Sequence, residues 1–222
     1  MGTLYLVRHG QASFGADDYD VLSELGHRQC RQLGIWFRER GITFEAAFHG
    51  SLKRQRASCE AIAEGHGAVP PAALRPQLDE YDSLALLKAT HPEPLPAADT
   101  PESYRQYFQL LRTALGRWMA GEIAPAGMPS YADWRAGIVG VLDEVQRVQG
   151  GNVLLVASGG PICTAVGHLL RTPHEVTIDL NLRIRNSALT EVAITPKRLM
   201  LVAFNHLPHL DHPERRGWVT ST

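Results

Sequence analysis

The apolar positions of this chain follow two rhythms. Short unbroken apolar runs, which suit strands covered on both faces of a parallel sheet, alternate with longer stretches of helical periodicity. Leu4-Tyr5-Leu6-Val7 is the first run; Ala46-Ala47-Phe48-His49 and Val153 to Val156 are the next two. Between the first two, Ser23 reads as the N-cap of a helix that runs to Arg40 and is closed by Gly41. A second helix is expected from about Leu52 to Glu64, ending before Gly65 and Gly67. Between His66 and Pro101 the chain carries Pro70, Pro71, Pro76, Pro92, Pro94 and Pro96, so loops are expected there, with one short helix near Leu84–Lys88. Helices resume at Glu102–Met119 and Tyr131–Gln149, the second stopped by Gly150-Gly151. After the Val153 run, Ser158-Gly159-Gly160-Pro161 opens a helix to Leu170, with Pro161 suited to its first position. Ser187–Ile194 and Leu199–Phe204 flank Thr195-Pro196-Lys197 and read as a hairpin.

Strands alternating with helices predict an α/β protein, layered around a mostly parallel central sheet. The 222 residues read as one domain, 1–222, with a cap-like insertion at about 81–135. A chain of this length buries roughly 70% of the surface its unfolded form exposes, and needs no disulfide or metal staple. Lys and Arg number 22 against 23 Asp and Glu, and this balance argues against a dedicated nucleic-acid binder. Cys30, Cys59 and Cys163 form no C-x-x-C pair, begin no C-x5-R loop, and read as small buried hydrophobes. The first ten residues lack the basic start and long apolar run of a signal peptide, and Leu6 stands where a myristoylation signal needs Ser or Thr. The longest apolar runs fall far short of the ~18 residues of a membrane span. A soluble, cytoplasmic protein with no membrane partner is expected, its oligomeric state left open.

The chemistry-bearing residues gather where ligands bind in open α/β sheets, past the C-terminal ends of the strands. Arg8-His9-Gly10 follows the first strand, Lys53-Arg54-Gln55-Arg56 follows the second, and Ser158-Gly159-Gly160 follows the Val153 run at the start of a helix. Two guanidinium groups, an imidazole and a helix N-terminus with glycine amides describe an anion site, because guanidinium forks match phosphate oxygens two at a time. Such a site suits phosphoryl transfer. Fixed cations stabilise charge on the equatorial oxygens, a neutral imidazole attacks phosphorus, and a carboxylic acid protonates the leaving oxygen. Gly10 would let backbone approach the phosphate.

Leu4-Tyr5-Leu6-Val7-Arg8-His9-Gly10-Gln11 resembles the opening of the histidine phosphatase superfamily, with its phosphoglycerate mutase-like fold, a three-layer sandwich. Ser51 to Ser58 is similar to that family's second motif, Leu78-Asp79-Glu80 to its proton-donor segment, Val153 to Ile162 to its last strand–turn–helix, and Arg185-Asn186-Ser187 to a later polar turn. The resemblance implies His9 as nucleophile, Arg8 and Arg54 as phosphate clamps, and Glu80 as general acid and then general base. It implies no cofactor and no metal, and a small phosphorylated substrate as partner. Gly10, Gln11, Ser158, Gly159, Gly160 and Asn186 are candidate phosphate or substrate contacts, with Ser13 beside them. The expected activity is metal-independent phosphomonoester hydrolysis through a phosphohistidine.

One departure stands out. The family's last motif normally carries a second histidine, and Ser158 occupies that position. An impaired phosphate-ester binding module is therefore one alternative. A phosphoglycerate-type phosphomutase is another, although Gln11 to Gly15 lacks the Asn usual in mutases and Tyr81, not Arg, follows Glu80. A serine hydrolase using Ser158 is disfavoured, because Val156 replaces the first glycine of G-x-S-x-G. Asp79 and Asp82 compete with Glu80 for the acid role. Arg56 reads equally as a solvated helix face, and His49 as pocket wall or surface residue. Tyr104, Tyr107, Tyr131 and Trp134 either line the pocket mouth or pack the cap. His206, His209 and His212 read as a polar loop before a metal cluster, because Pro208 and Pro213 break helical spacing; one of them could approach the pocket in place of the missing histidine.

Overall fold

The computed structural model describes residues 2–12, 20–91, 93, 100–147 and 151–221. In chain order the elements are β1 (Gly2–Arg8), α1 (Glu24–Glu39), β2 (Ala46–His49), α2 (Lys53–His66), β3 (Ala72–Leu74), α3 (Ser83–Thr90), α4 (Pro101–Met119), α5 (Tyr131–Arg147), β4 (Val153–Ala157), α6 (Gly159–Leu170), α7 (His174–Asn181), β5 (Leu189–Ile194) and β6 (Leu199–His206). Short 3-10 turns cover Pro76–Leu78 and Pro213–Trp218. The sheet runs β3-β2-β4-β1-β5-β6. The first four of these are mutually parallel, and β5 and β6 return antiparallel as the expected hairpin.

Period-two alternation in β1 builds both sides of the molecule. Leu4 and Leu6 join Ile138, Val145, Leu155 and Ile162 on the face covered by α5 and α6. Tyr5 and Val7 join Leu33, Phe37, Ile62 and Val156 on the face covered by α1 and α2. A third apolar cluster, containing Leu86, Leu111, Leu115, Trp118 and Ile178, ties α3, α4 and α7 together beyond the sheet. Burying a large aliphatic or aromatic side chain contributes roughly 1.5–3 kcal/mol, so these clusters dominate the stability.

Several boundaries differ from expectation. Helix α2 continues through Gly65 to His66 and ends at Gly67, which takes a left-handed φ of 85°. Gly65 lies where a Cβ would stand 2.0 Å from the Arg31 carbonyl of α1, so it serves helix–helix approach and does not stop the helix. Helix α6 begins at Gly159, which puts Pro161 in its third position. A proline there is harmless, since the first-turn amides have no intrahelical partner. β3 and α7 were not legible: β3 is three residues after paired prolines, and α7 is eight residues of mixed polarity. The Ser23 cap is as expected, its side chain accepting from the Gly26 amide at 3.0 Å. Val148, Gln149 and Gly150, at the expected end of α5, and Ser13 lie outside the described residues.

The turn after β1 is wedged against α1. A Cβ on Gly10 would stand 2.5 Å from the Gly26 carbonyl oxygen, and one on Gly26 would stand 2.3 Å from the Gln11 carbonyl oxygen. Backbone lies on both sides, so neither collision can be relieved by a rotamer change. Gly26→Ala is expected to lower the unfolding free energy by several kcal/mol, of the order seen for severe overpacking. Urea denaturation against wild type measures it, and a loss below about 0.5 kcal/mol would show that the wedge can open.

Candidate functional site

β1 lies between parallel β4 and antiparallel β5, so the carboxyl end of β1 opens at the point where strand direction switches. The ladder outlasts the strand: the His9 amide donates to the Ala157 carbonyl at 2.8 Å, and the His9 carbonyl accepts from the Ser187 amide at 3.1 Å. The backbone of His9 is therefore held from both sides. Its ring is 2% exposed. Nδ1 lies 2.7 Å from the Gly10 carbonyl, which can only accept, so Nδ1 carries the proton. Nε2 is left as an acceptor, 3.2 Å from Arg54 Nε. Burial and then the charges of Arg8 and Arg54 hold the His9 pKa well below the usual imidazole value, while the Gly10 contact opposes this in part.

Arg54 comes from the first turn of α2 and is itself buried. Its Nη1 meets Asp20 Oδ1 at 2.8 Å. The same carboxylate accepts from the Lys53 amide at 2.8 Å, so Asp20 caps α2 and aims the guanidinium together. Arg8, at the end of β1, donates through Nη1 to the Ile184 carbonyl and, at 3.4 Å, to the Ser221 carbonyl.

Glu80 reaches the same cavity from the segment after the Pro76–Leu78 turn. Its Oε2 accepts from the Gly160 amide at 3.1 Å, and Oε1 from the Tyr81 amide at 3.2 Å. Burial raises its pKa, opposed by the Gly160 amide and by the charges of Arg54 and Arg8. Its two rivals have other engagements. Asp79 binds the amide and hydroxyl of Ser51, and Asp82 accepts from the Leu84 and Ala85 amides as the N-cap of α3.

Arg8, His9, Arg54, Glu80 and Gly159 thus line one cavity of about 480 Å3, continued by Tyr81, Tyr104, Tyr107, Phe108 and Asn181. A larger cleft of about 840 Å3 lies between the α4–α5 turn and α6–α7, but contains none of these charged groups. Tyr131 and Trp134 pack around Trp118 and stay out of the smaller cavity, so only Tyr104 and Tyr107 of the four expected aromatics line it.

Other expected contacts are placed differently. Ser158 is 0% exposed, its Oγ accepting from Gln55 Nε2 at 2.9 Å, and it does not line the cavity. A serine-nucleophile reading is overturned by the same facts. The Gly10 amide donates to Ser58 Oγ of α2 at 3.0 Å and its Cα lies against the Gly26 carbonyl of α1, so Gly10 serves the close approach of both helices. Gln11 accepts from the Ser23 hydroxyl at 2.9 Å and its amide donates to Gln29 Oε1, also at 2.9 Å, which turns it away from the cavity. The Gly160 amide is already committed to Glu80. Asn186 is buried, donates to the Gly10 carbonyl at 3.4 Å and accepts from the Thr220 hydroxyl at 2.9 Å. It braces the His9–Gly10 turn and does not face the cavity.

Arg56 pairs loosely with Glu60 on the exposed face of α2. His49 points its Nδ1 at the Gly50 carbonyl. His206 faces Glu191, His209 is buried against the Ser187 hydroxyl, and His212 caps the Pro213–Trp218 turn, so none replaces the missing histidine in the cavity. All three cysteines are buried with raised pKa values, Cys30 to about 11 and Cys59 to about 12, as small hydrophobes should be. No helix among the described residues is long and apolar enough to cross a membrane. Asp20, Gln55, Ser58 and Asn181 were missed in the sequence. The acceptor spacing of Asp20 to a helix start 33 residues away leaves no local signal.

Sequence relatives and solved structures place the chain among known proteins. A 2,3-bisphosphoglycerate-dependent phosphoglycerate mutase of Mesorhizobium japonicum is 35% identical over 88 residues, covering 36% of this chain and 42% of the relative. One from Methylorubrum populi is 28% identical over 169 residues, covering 71% of this chain and 73% of the relative. Phosphoserine phosphatase from Entamoeba histolytica, solved as a mutant with phosphoserine, superposes with a TM-score of 0.65 at 16% identity, covering 95% of this chain and 100% of that one. Residues 4–207 match the histidine phosphatase superfamily, branch 1, a span that includes Arg8, His9, Arg54 and Glu80, and the chain belongs to that superfamily.

Proposed function

We propose that the protein is a metal-independent phosphomonoester hydrolase that works through a phosphohistidine on His9. The observation that carries this reading is the state of His9: neutral, with its proton on Nδ1 and its Nε2 lone pair turned toward Arg54, in the field of Arg8 as well. In the first step Nε2 attacks phosphorus, the N–P bond forms, and the P–O bond to the alcohol breaks. Arg8 and Arg54 hold the equatorial oxygens, the Arg54 Nε–H keeping its proton and redirecting its hydrogen bond from Nε2 to a phosphate oxygen. Glu80, protonated because burial favours its neutral form, gives its proton to the leaving oxygen. In the second step the Glu80 carboxylate takes a proton from water, the water oxygen bonds to phosphorus, and the N–P bond breaks to release phosphate. Gly159 at the start of α6 completes the anion end, and residues 81–135 act as the cap.

A phosphoglycerate-type mutase is the second reading, favoured by the names of the curated relatives. Against it stand Tyr81 after Glu80 and a Gln11 side chain tied to Ser23. Both readings share the phosphoenzyme, and 3-phosphoglycerate separates them: a mutase converts it to the 2-isomer when primed with the bisphosphate, whereas a hydrolase releases phosphate.

His9→Ala is expected to abolish both turnover and acid-quenched phosphohistidine, with chelators leaving wild type unchanged; wild-type activity in His9→Ala would end the mechanism. Glu80→Gln should cost ~10²-fold or more on alkyl phosphates and far less on nitrophenyl phosphate, whose leaving group needs no proton. The acid form is the active one in the first step, so with alkyl esters kcat/KM should fall as pH rises through the raised Glu80 pKa, and that alkaline limb should vanish in Glu80→Gln. Equal losses on both ester classes would leave Glu80 as a shaping residue only. Ser158→His forces an imidazole into the space that Gln55 now fills, so it should lower Tm and phosphatase rate together. A rise in rate, or phosphohistidine that appears only in the variant, would favour a wild type that binds phosphate esters without turning them over.

A further inference from the structure

Past its charged end the cavity changes character. Leu84, Tyr104, Tyr107, Phe108, Leu111 and Leu182 form its walls. Four of these, at positions 104, 107, 108 and 111, are spaced i, i+3, i+4, i+7, which puts them on one face of α4. The same stripe continues through Ala114, Leu115 and Trp118, which fill the apolar cluster with α3 and α7, and Tyr107 and Phe108 pack against the edge of that cluster. The C-terminal half of the stripe is thus covered by the cluster, whereas its N-terminal half extends past it and lines the cavity. Phe108 is the centre of it, with Tyr104 at 5.0 Å and Tyr107 at 5.6 Å between ring centroids. These three rings are only half-buried, so something apolar laid against them would remove their faces from water.

Charge in the cavity is as one-sided as shape. Among the described residues Arg8 and Arg54 are the cations that line it, both at the His9 end. The charge of Arg54 is offset by Asp20. At the other end the nearest charged group is Asp82, an anion fixed by capping α3. Tyr107 turns its hydroxyl to Ser83 at 3.3 Å, and Asn181 donates to the Tyr81 hydroxyl at 2.8 Å, so both of these polar groups already have partners. A substrate with a carboxylate or a second phosphate would bring that charge against Asp82 and an aromatic wall, a cost that the cavity does nothing to offset.

We infer that the substrate is the phosphomonoester of an apolar, aromatic or otherwise flat alcohol with no second anionic group. The inference builds on the hydrolase reading for its phosphate end, but concerns binding and can be measured without turnover. Calorimetric titration of wild type with 1-naphthylmethylphosphonate, methylphosphonate and 3-phosphoglycerate gives the three affinities directly. The naphthyl compound is expected to bind at least about tenfold tighter than either of the others, the equivalent of ~1.4 kcal/mol. Phe108→Ala should cut its affinity by about tenfold more than it cuts that of methylphosphonate. Leu84→Lys, at a position 71% exposed and so tolerant of change, should narrow the gap between the naphthyl compound and 3-phosphoglycerate. Equal or tighter binding of 3-phosphoglycerate to wild type, or no preference for naphthyl over methyl, overturns the inference. Phosphate release from 1-naphthyl phosphate, followed in the same preparation, reports separately on the hydrolase: tight naphthyl binding with no release and no phosphohistidine would remove that activity and leave the ligand class standing.

Discussion

The Gly10 carbonyl governs the cavity. It accepts from His9 Nδ1 and so decides which ring nitrogen is bare. It also accepts from the Asn186 side chain, while the amide of the same residue is held by Ser58 of α2 and its Cα is pressed against Gly26 of α1. One residue is thereby referred to α1, to α2 and to the turn before β5. A side chain at this position would push the peptide off all three, and the imidazole would lose the acceptor that fixes its tautomer. Residues outside the cavity lining, Ser58 and Asn186 among them, thus set the state of the His9 ring that lines it.

Charge is handled in the same economical way. Two arginines beside a buried imidazole depress its basicity, which suits a nucleophile, and they oppose the effect of burial on Glu80, which limits how far that acid is raised. Asp20 offsets the positive charge of Arg54. An arriving dianion therefore meets a site already partly balanced, and exchanges solvent for fixed donors without leaving an isolated buried cation behind.

Much of this was legible along the chain, and the remainder was hidden for physical reasons. His9, Arg8 and Arg54 were readable because strand ends and helix starts are local events, marked by an apolar run and the residues directly after it. Glu80 was readable only by resemblance, since a proline-rich stretch gives no register; the structure separates it from Asp79 and Asp82 by showing what each of those two already binds. Ser158, Gln11 and Asn186 were misplaced for one shared reason. Sequence position puts a residue at the rim of the sheet, but which way its side chain turns depends on partners such as Gln55, Ser23 and Thr220 that lie elsewhere in the chain. The short elements β3 and α7 escaped because each is defined by its neighbour, Ala47 pairing with Ala72 in one case and α6 packing in the other.

The place of β1 in the sheet also bears on how the chain is made. Leu4 pairs with Val153 on one side and Val192 on the other, so the first strand of this sheet to be made is among the last to be enclosed. Until β4 and β5 emerge, an apolar strand with two unpaired edges must wait, beside helices that have little sheet to cover. Synthesis at a typical ~5–20 residues per second makes that wait several seconds or more. The central place of β1 therefore ties the setting of the His9 ring to the completion of nearly the whole sheet.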